Sequence, residues 1–253
     1  MAAQVRKLPK SPIPGVIKRN TVLLTVVQAL FAGAFQSVMV IAALGIFFFT
    51  HSATLGGLAS AVAIGGRVLV AYGAGRLMDR LGRKTVLYGG IAVSCAAILL
   101  MAYALYWSSV WLFWAGIFAF GSGAGVMNLL RVPVTDMYPA SRRGEGMGYL
   151  LTGSVVGTFM APLLSVFAPY LDFMSLGSYV VMLLVSVPVM LLGALFVKLV
   201  SPDTREILSN LREYYPKENF GISIAGSAYG GVSMQEALVT RSLIGAFITS
   251  AFS

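Results

Sequence analysis

Ionised side chains are rare in this sequence and fall in short groups, where they can pair with one another or hold a charged ligand. The densest group occupies residues 75–84, which read Gly-Arg-Leu-Met-Asp-Arg-Leu-Gly-Arg-Lys. Its single carboxylate, Asp79, stands among Arg80, Arg83 and two further cations. A carboxylate facing guanidinium groups forms charge-assisted pairs that a motion of the backbone can break. The segment therefore predicts a charge cluster that forms and breaks ion pairs.

A second group follows the fourth long apolar segment of the chain. Asp136 stands at its end, and Arg131 precedes it by five residues. A long arginine side chain at such a position can extend its charged end to the water interface. We expect Arg131 to be structural and Asp136 to lie at the interface.

Arg67 differs from these groups because it lies inside an apolar segment, near the middle of residues 53–76. An arginine at membrane depth costs several kcal/mol unless it faces water or a partner. No acidic residue lies inside any of the apolar segments to pair with it. We therefore predict that Arg67 lines a cavity and binds an anion such as a carboxylate or phosphate ester; backbone carbonyls or an acid elsewhere in a larger protein are alternative partners. Other polar residues that could line the cavity or bond between helices are Gln28, Gln36 and Asn128.

Catalysis is not predicted. The single histidine, His51, is expected at the outer end of the first helix, and Ser122 in its Gly-Ser-Gly setting has no partner at the same depth. No cysteine and histidine residues have metal-ligand spacing, and no glycine-rich loop is followed by the Lys and Ser/Thr of a nucleotide site. We expect no enzyme activity, no cofactor and no metal.

The elements that carry these residues are predicted to be membrane-spanning helices. The sequence is 58% hydrophobic and 11% charged, whereas soluble domains carry about 25% charged residues. A span needs about 20 apolar residues, and the first run is too long for a signal peptide. The six predicted spans are residues 21–49, 53–75, 85–106, 110–132, 146–168 and 175–199.

The cations mark the orientation of these spans. Apart from Arg67 and Arg131, they lie in the tail of residues 1–20, in residues 76–84, at Arg142 and Arg143, and from Lys198 onward, whereas the intervening turns contain no lysine or arginine. The positive-inside rule therefore places the amino terminus and residues 201–236 in the cytoplasm of a multi-pass cell-membrane protein. The net charge of +9 is spread over these blocks, so no nucleic-acid partner is predicted.

Two of these segments resemble a known family. Residues 75–84 match every position of the G-x-L-x-D-x-x-G-R-K signature of the major facilitator superfamily, and residues 136–144 resemble the acidic-x-x-Pro-x-x-x-Arg-Gly pattern of its sugar and metabolite branch. Asp136 stands where those relatives usually carry glutamate. The resemblance implies a secondary transporter that works by alternating access, with Asp79, Arg83 and Asp136 latching one state on the cytoplasmic side. A static surface salt bridge is the alternative.

Residues 75–84 are expected to form a tight turn between two spans, because so much charge is excluded from hydrocarbon. Gly75 and Gly82 suit this turn, since glycine permits close approach of helices or positive φ. Arg80 is included among the candidate gating residues of this turn, together with Arg131.

The family resemblance also implies two parallel six-helix halves. Residues 29–35 and 246–252 are weakly similar at a shift of 217 residues, so we expect residues 21–200 to be an amino-terminal half and residues 237–253 to begin a seventh helix. The expected partners are a small-molecule substrate, protons as a candidate coupling ion, the lipid bilayer, and a carboxy-terminal half or a second copy of the chain.

Residues 201–236 are predicted to be a cytoplasmic loop. Ser201 and Pro202 suit the cap and first position of a helix, and apolar residues then recur at helical spacing as far as Tyr215. A short amphipathic helix at the membrane surface and a solvated linker helix are both compatible with this pattern. Residues 219–233 are rich in glycine and serine and are expected to be flexible.

Small residues in the fifth predicted span form a ridge for close helix packing, comprising Gly153, Gly157 and the following Pro162. With Gly65 and Gly73, this ridge is expected to face the second half. It partly resembles a motif of drug-exporting antiporters. A drug or lipophile exporter, or a non-transporting six-helix scaffold, therefore remains an alternative to an organic-anion transporter.

Overall fold

The computed structural model describes residues 12–159, 162–163, 166 and 178–216. Within these ranges the chain is helical and contains no β-strand. The described residues belong to one compact unit that ends at Pro216. The predicted flexible segment 219–233 and the predicted start of a seventh helix at residues 237–253 lie outside the described residues.

The long helices are separated by short connections. The nine α-helices are α1 (Gly15–Thr50), α2 (Ala53–Leu81), α3 (Arg83–Tyr106), α4 (Val110–Met127), α5 (Arg131–Asp136), α6 (Arg143–Thr158), α7 (Ser178–Leu199), α8 (Thr204–Ser209) and α9 (Leu211–Tyr214) among the described residues. Two short 3-10 turns, Asn128–Leu130 and Ala140–Arg142, precede α5 and α6.

Five helical stretches in the described part of the chain are long and apolar enough to cross a membrane. They are Gly15–Thr50, Ala53–Leu81, Arg83–Tyr106, Val110–Asp136 and Val180–Leu199. The prediction of an all-helical membrane protein is therefore confirmed. The predicted span 146–168 is described without interruption only as far as residue 159, so the number six stays a prediction.

Two predicted boundaries are wrong. Helix α1 begins at Gly15, directly after Pro14, because the helix-breaking prolines end there and nothing later in the tail opposes a helix. Residues 75–81 form the last turns of α2, and the turn is Gly82 alone, at φ 92°. Charge excludes these residues from hydrocarbon but does not prevent a helix, since arginine and methionine are good helix formers. Gly75 lies inside α2 with open space beside it.

Small residues bring the helices close together. Helices α2 and α3 pack on α4, and α1 packs on α6 and α7. A Cβ atom at Gly157 would clash with the carbonyl of Ala29, and one at Gly153 would meet the carbonyl of Thr25. The prediction that this ridge faces a second half is therefore wrong, because α1 covers it. Gly65 and Gly73 have open space beside them, and Pro162 is exposed.

The segment after α7 is folded against the rest of the unit. Asp203, whose carboxylate accepts from the backbone N–H of Arg205 at 3.2 Å, is the cap of α8. The prediction of a cap at Ser201 is wrong, since the backbone N–H of Ser201 donates instead to the side chain of Asn20 at 3.4 Å. The predicted single helix is divided at Asn210 into α8 and α9.

Candidate functional site

The charge cluster predicted from the sequence is centred on a largely buried pair between α3 and α5. The Nε and Nη2 atoms of Arg83 donate to Oδ2 of Asp136 at 3.1 and 2.9 Å. The two side chains are 9% and 14% exposed. Arg83 is the first residue of α3 and Asp136 is the last residue of α5, so the pair ties together the ends of two helices that are distant in sequence.

The other predicted members of the cluster are more exposed than Arg83 and Asp136. Asp79 lies 3.8 Å from Nη1 of Arg83, and its side chain is 77% exposed. Arg80 and Arg131 are exposed. The structure thus brings Asp79, Arg83 and Asp136 together, with the Arg83–Asp136 contact the closest.

The segment that follows α7, residues 200–216, contacts the same end of the bundle. The Nζ atom of Lys84 donates to the carbonyl of Val200, and Nη2 of Arg19 donates to the carbonyl of Ser201 at 2.8 Å. Arg205 reaches the carbonyl of Asp79 at 3.5 Å. This segment therefore contacts both α1 and the charged end of α2 and α3.

Sequence reasoning missed a second buried group at this end. Arg142 pairs with Glu145 at 2.7 Å and stacks over the ring of Tyr215 at 5.8 Å. The hydroxyl of Tyr138 is hydrogen-bonded to that of Thr21 at 3.0 Å. Burial raises the pKa of Tyr138, so this hydroxyl stays protonated and available for the bond at neutral pH. Arg142 lies at an unspecified position of the pattern at 136–144, and its contact with Tyr215 depends on the folded segment, so neither gave a local signal.

Arg67 occupies the middle of the second helix. It lies 14 residues from either end of α2, which is about 21 Å at 1.5 Å per residue. Its guanidinium stands over the ring of Phe35 on α1 at 4.7 Å, and that ring stacks on Phe120 of α4 at a centroid distance of 5.7 Å. The predicted depth of Arg67 thus corresponds to a position among α1, α2 and α4.

The hydrogen-bonding capacity of Arg67 is left unused by the described residues. Its Nε atom is buried without a hydrogen-bond partner, and within the described ranges no carboxylate or carbonyl accepts from its side chain. A cation–π contact contributes up to about 2 kcal/mol when desolvated. An arginine at the centre of a membrane helix costs about 2.5–3.5 kcal/mol on insertion scales, and an unpaired buried donor costs a further ~1–3 kcal/mol. The ring therefore offsets part of the cost, and an anionic partner would offset the rest.

The remaining polar candidates were predicted either to line a cavity or to bond between helices. Gln28 donates to the hydroxyl of Ser154 at 2.8 Å, which joins α1 to α6. Gln36 is exposed and Asn128 is half-buried. Gln28 thus bonds between helices, and the other two remain candidates for a cavity surface.

Phe35 and Phe120 were not predicted as site residues. Both lie in long apolar runs where an aromatic residue carries no distinctive signal, and their role follows from helix packing. In the described part of the chain, no cluster of three or more His, Cys, Asp or Glu residues could hold a metal ion.

A protein-family model described as Major Facilitator Superfamily matches residues 20–253. This range includes all of the described helices except the first five residues of α1. A search of curated proteins finds no match.

Proposed function

Since the chain belongs to the major facilitator superfamily, a family of membrane transporters, we propose that it carries a small organic anion across the membrane by alternating access. The single observation that supports the anion is Arg67. It lies at the middle of α2, and among the described residues its buried Nε atom has no hydrogen-bond partner and its guanidinium has an aromatic ring beneath it.

A carboxylate or phosphate ester suits this position for electrostatic reasons. An anion that enters beside Arg67 would compensate the desolvation of the guanidinium, because charge pairing recovers free energy that burial costs. A neutral sugar offers hydrogen bonds but no charge, so it would leave most of that cost in place. The arrangement therefore favours anions over neutral metabolites.

The substrate path in this proposal lies between this bundle and a second one. Residues 21–200 form the amino-terminal half, and helices of the other half approach the open side of α2. Gly65 on this helix has space beside it for close approach. The exposed apolar residues Val68, Leu69 and Tyr72 lie on the same helix.

The cytoplasmic cluster is the proposed latch of the transport cycle. The contact of Arg83 with Asp136 joins α3 to α5, and the segment 200–216 contacts the same end of the bundle through Lys84. A rocking motion that separates these ends would break charge-assisted bonds at each turnover. Any carboxylate that couples transport to protons lies in the second half, because the described acids lie at or beyond helix ends.

The proposal is tested by anion binding to the purified protein. A panel of carboxylates, glycerol 3-phosphate and glucose is added, and the thermal unfolding temperature is measured for wild type and Arg67→Gln. Arg76→Gln is the matched control, because Arg76 lies on the same helix and stacks on Tyr72 at 4.6 Å, but near the cytoplasmic end. Arg67→Lys retains the charge without the planar fork.

At least one anion is expected to stabilise wild type and Arg76→Gln, and to stabilise Arg67→Gln by at least about 1.5 kcal/mol less, the lower end of the range for a hydrogen bond to a charged group. Glucose should stabilise none of them. Equal stabilisation of wild type and Arg67→Gln, or stabilisation by glucose alone, would reject the anion. If an acidic residue of a second half is paired with Arg67, no anion should change the unfolding temperature.

The alternative functions gain no support from the fifth-span ridge. The ridge at Gly153 and Gly157 is occupied by α1, so it is not free to assemble a scaffold with another chain. Its close packing is a feature of the bundle itself and does not favour a drug exporter.

A further inference from the structure

We propose that the crevice between α2 and α3 binds an anionic phospholipid of the cytoplasmic leaflet, with an acyl chain in the crevice and the headgroup phosphate at the first turn of α3. This site is separate from the position of Arg67 and does not depend on which substrate is transported.

The crevice exists because α2 and α3 are consecutive in sequence but both pack on α4. It has a volume of about 580 Å³ and lies between Gly73, Leu77 and Leu81 of α2 and Gly89 and Val93 of α3. This volume falls within the ~300–1,000 Å³ typical of small-molecule sites. Leu77, Leu81 and Val93 are exposed, so the crevice is open along its side.

The shape and chemistry of the crevice suit a hydrocarbon chain. Its lining on α2 extends from Val70 to Leu81, about 16 Å along the helix axis. Away from the mouth, its polar lining residue is Ser122, whose hydroxyl already donates to the carbonyl of Phe118 at 3.0 Å. An elongated, apolar crevice whose one polar lining residue away from the mouth already has a hydrogen-bond partner fits an acyl chain and not a polar metabolite.

The mouth of the crevice suits a phosphate. It lies beside the first turn of α3, which contains no acidic residue and has no side-chain cap, and Thr85 in that turn lines the crevice. A helix N-terminus with free N–H groups attracts anions. Arg76 and Arg80 are exposed at the adjoining end of α2, whereas Arg83 is committed to Asp136.

The one acid of this segment does not oppose an anion there. Asp79 is two residues from both Leu77 and Leu81, which places it about 200° around the helix from each of them. Its carboxylate points to Arg83. The net charge at the mouth is therefore positive, and an anionic lipid is favoured over a zwitterionic one about fivefold for each cation.

The experiment measures lipid bound to the purified 253-residue protein by native mass spectrometry, with phosphatidylglycerol and phosphatidylcholine of equal chain length. Gly73→Leu and Gly89→Leu fill the crevice, and neither new Cβ atom meets an atom within 4 Å. Gly65→Leu is the matched control, since its Cβ also points into open space but outside the crevice. Arg80→Gln removes one cation from the mouth.

Wild type and Gly65→Leu are expected to prefer phosphatidylglycerol. Each crevice variant should bind it about tenfold more weakly, because the added side chain displaces buried methylene groups. Arg80→Gln should lower the preference about fivefold, and millimolar glycerol 3-phosphate should not displace the lipid. Equal binding of the two lipids, unchanged binding by both crevice variants, or displacement by glycerol 3-phosphate would each overturn the proposal.

Discussion

Charge at the lysine- and arginine-rich end of the bundle is shared unequally among three residues. Arg83 is buried and in direct contact with Asp136, whose side chain is only 14% exposed, whereas Asp79 is 77% exposed and 3.8 Å away. Removing one partner of a buried pair costs about 3–5 kcal/mol, because the other charge stays buried and uncompensated. An exposed pair contributes about 0–1 kcal/mol. The two carboxylates of this cluster should therefore differ in their contribution to stability.

We predict that Asp136→Asn lowers the unfolding temperature by at least about 6 °C, at 2–4 °C for each kcal/mol in a chain of this size. The matched variant Asp79→Asn should change it by about 4 °C or less. Both are measured by thermal unfolding of purified protein in one detergent. Similar shifts for the two variants would mean that Asp79 contributes as much to stability as Asp136, which would contradict this prediction.

At the level of the helices, two glycines of α6 differ in whether another helix fills the space beside them. A Cβ atom at Gly157 would clash with the carbonyl of Ala29, whereas one at Gly148 on the same helix has nothing within 4 Å. A backbone carbonyl cannot move aside without moving α1, so overpacking there costs about 1–3 kcal/mol or more.

Gly157→Ala is therefore expected to destabilise the protein by at least about 1 kcal/mol. Gly148→Ala should be neutral or stabilise it by up to about 1 kcal/mol, since alanine is the better helix former. Denaturant or thermal unfolding of the two variants beside wild type measures the difference. A stable Gly157→Ala would show that α1 and α6 are not in close contact in the membrane.

The apolar helices were predictable, because the length of an apolar segment indicates whether it can cross a membrane. The place of Arg67 near the middle of α2 followed from counting residues, and the contact of Arg83 with Asp136 was expected from the family resemblance. Other features need the folded chain. A small-residue ridge predicts close packing but does not identify the partner, so Gly157 was assigned to a second half when it faces α1. Similarly, Phe35 meets Arg67 only after α1 and α2 have packed.

At the level of the whole molecule, several polar contacts gather where the cations of the sequence gather. The buried pair of Arg83 with Asp136, the pair of Arg142 with Glu145 and the segment 200–216 contact the same end. The opposite connection between α3 and α4, residues 107–109, carries no charge. The positive-inside rule infers the orientation of the bundle in the membrane from this asymmetry.

The orientation is tested with single cysteines. The chain has one native cysteine, Cys95, which is buried, so a Cys95→Ala background lacks reactive thiols. Ser108 precedes α4 and Ala140 follows α5, and both are exposed. The 18 residues of α4 alone separate them by about 27 Å along the helix axis. Serine and cysteine share the same Cβ geometry, so Ser108→Cys adds no strain at its φ of 51°.

In intact cells, a membrane-impermeant maleimide is expected to label Ser108→Cys and not Ala140→Cys, because the lysine- and arginine-rich end faces the cytoplasm. Permeabilising the membrane should make Ala140→Cys equally reactive, which controls for accessibility of the thiol. Labelling of Ala140→Cys alone would place the charge cluster and the amino terminus outside the cell. Labelling of both in intact cells would mean that the stretch from α4 to α5 does not cross the membrane, in conflict with its length and with the depth assigned to Arg67.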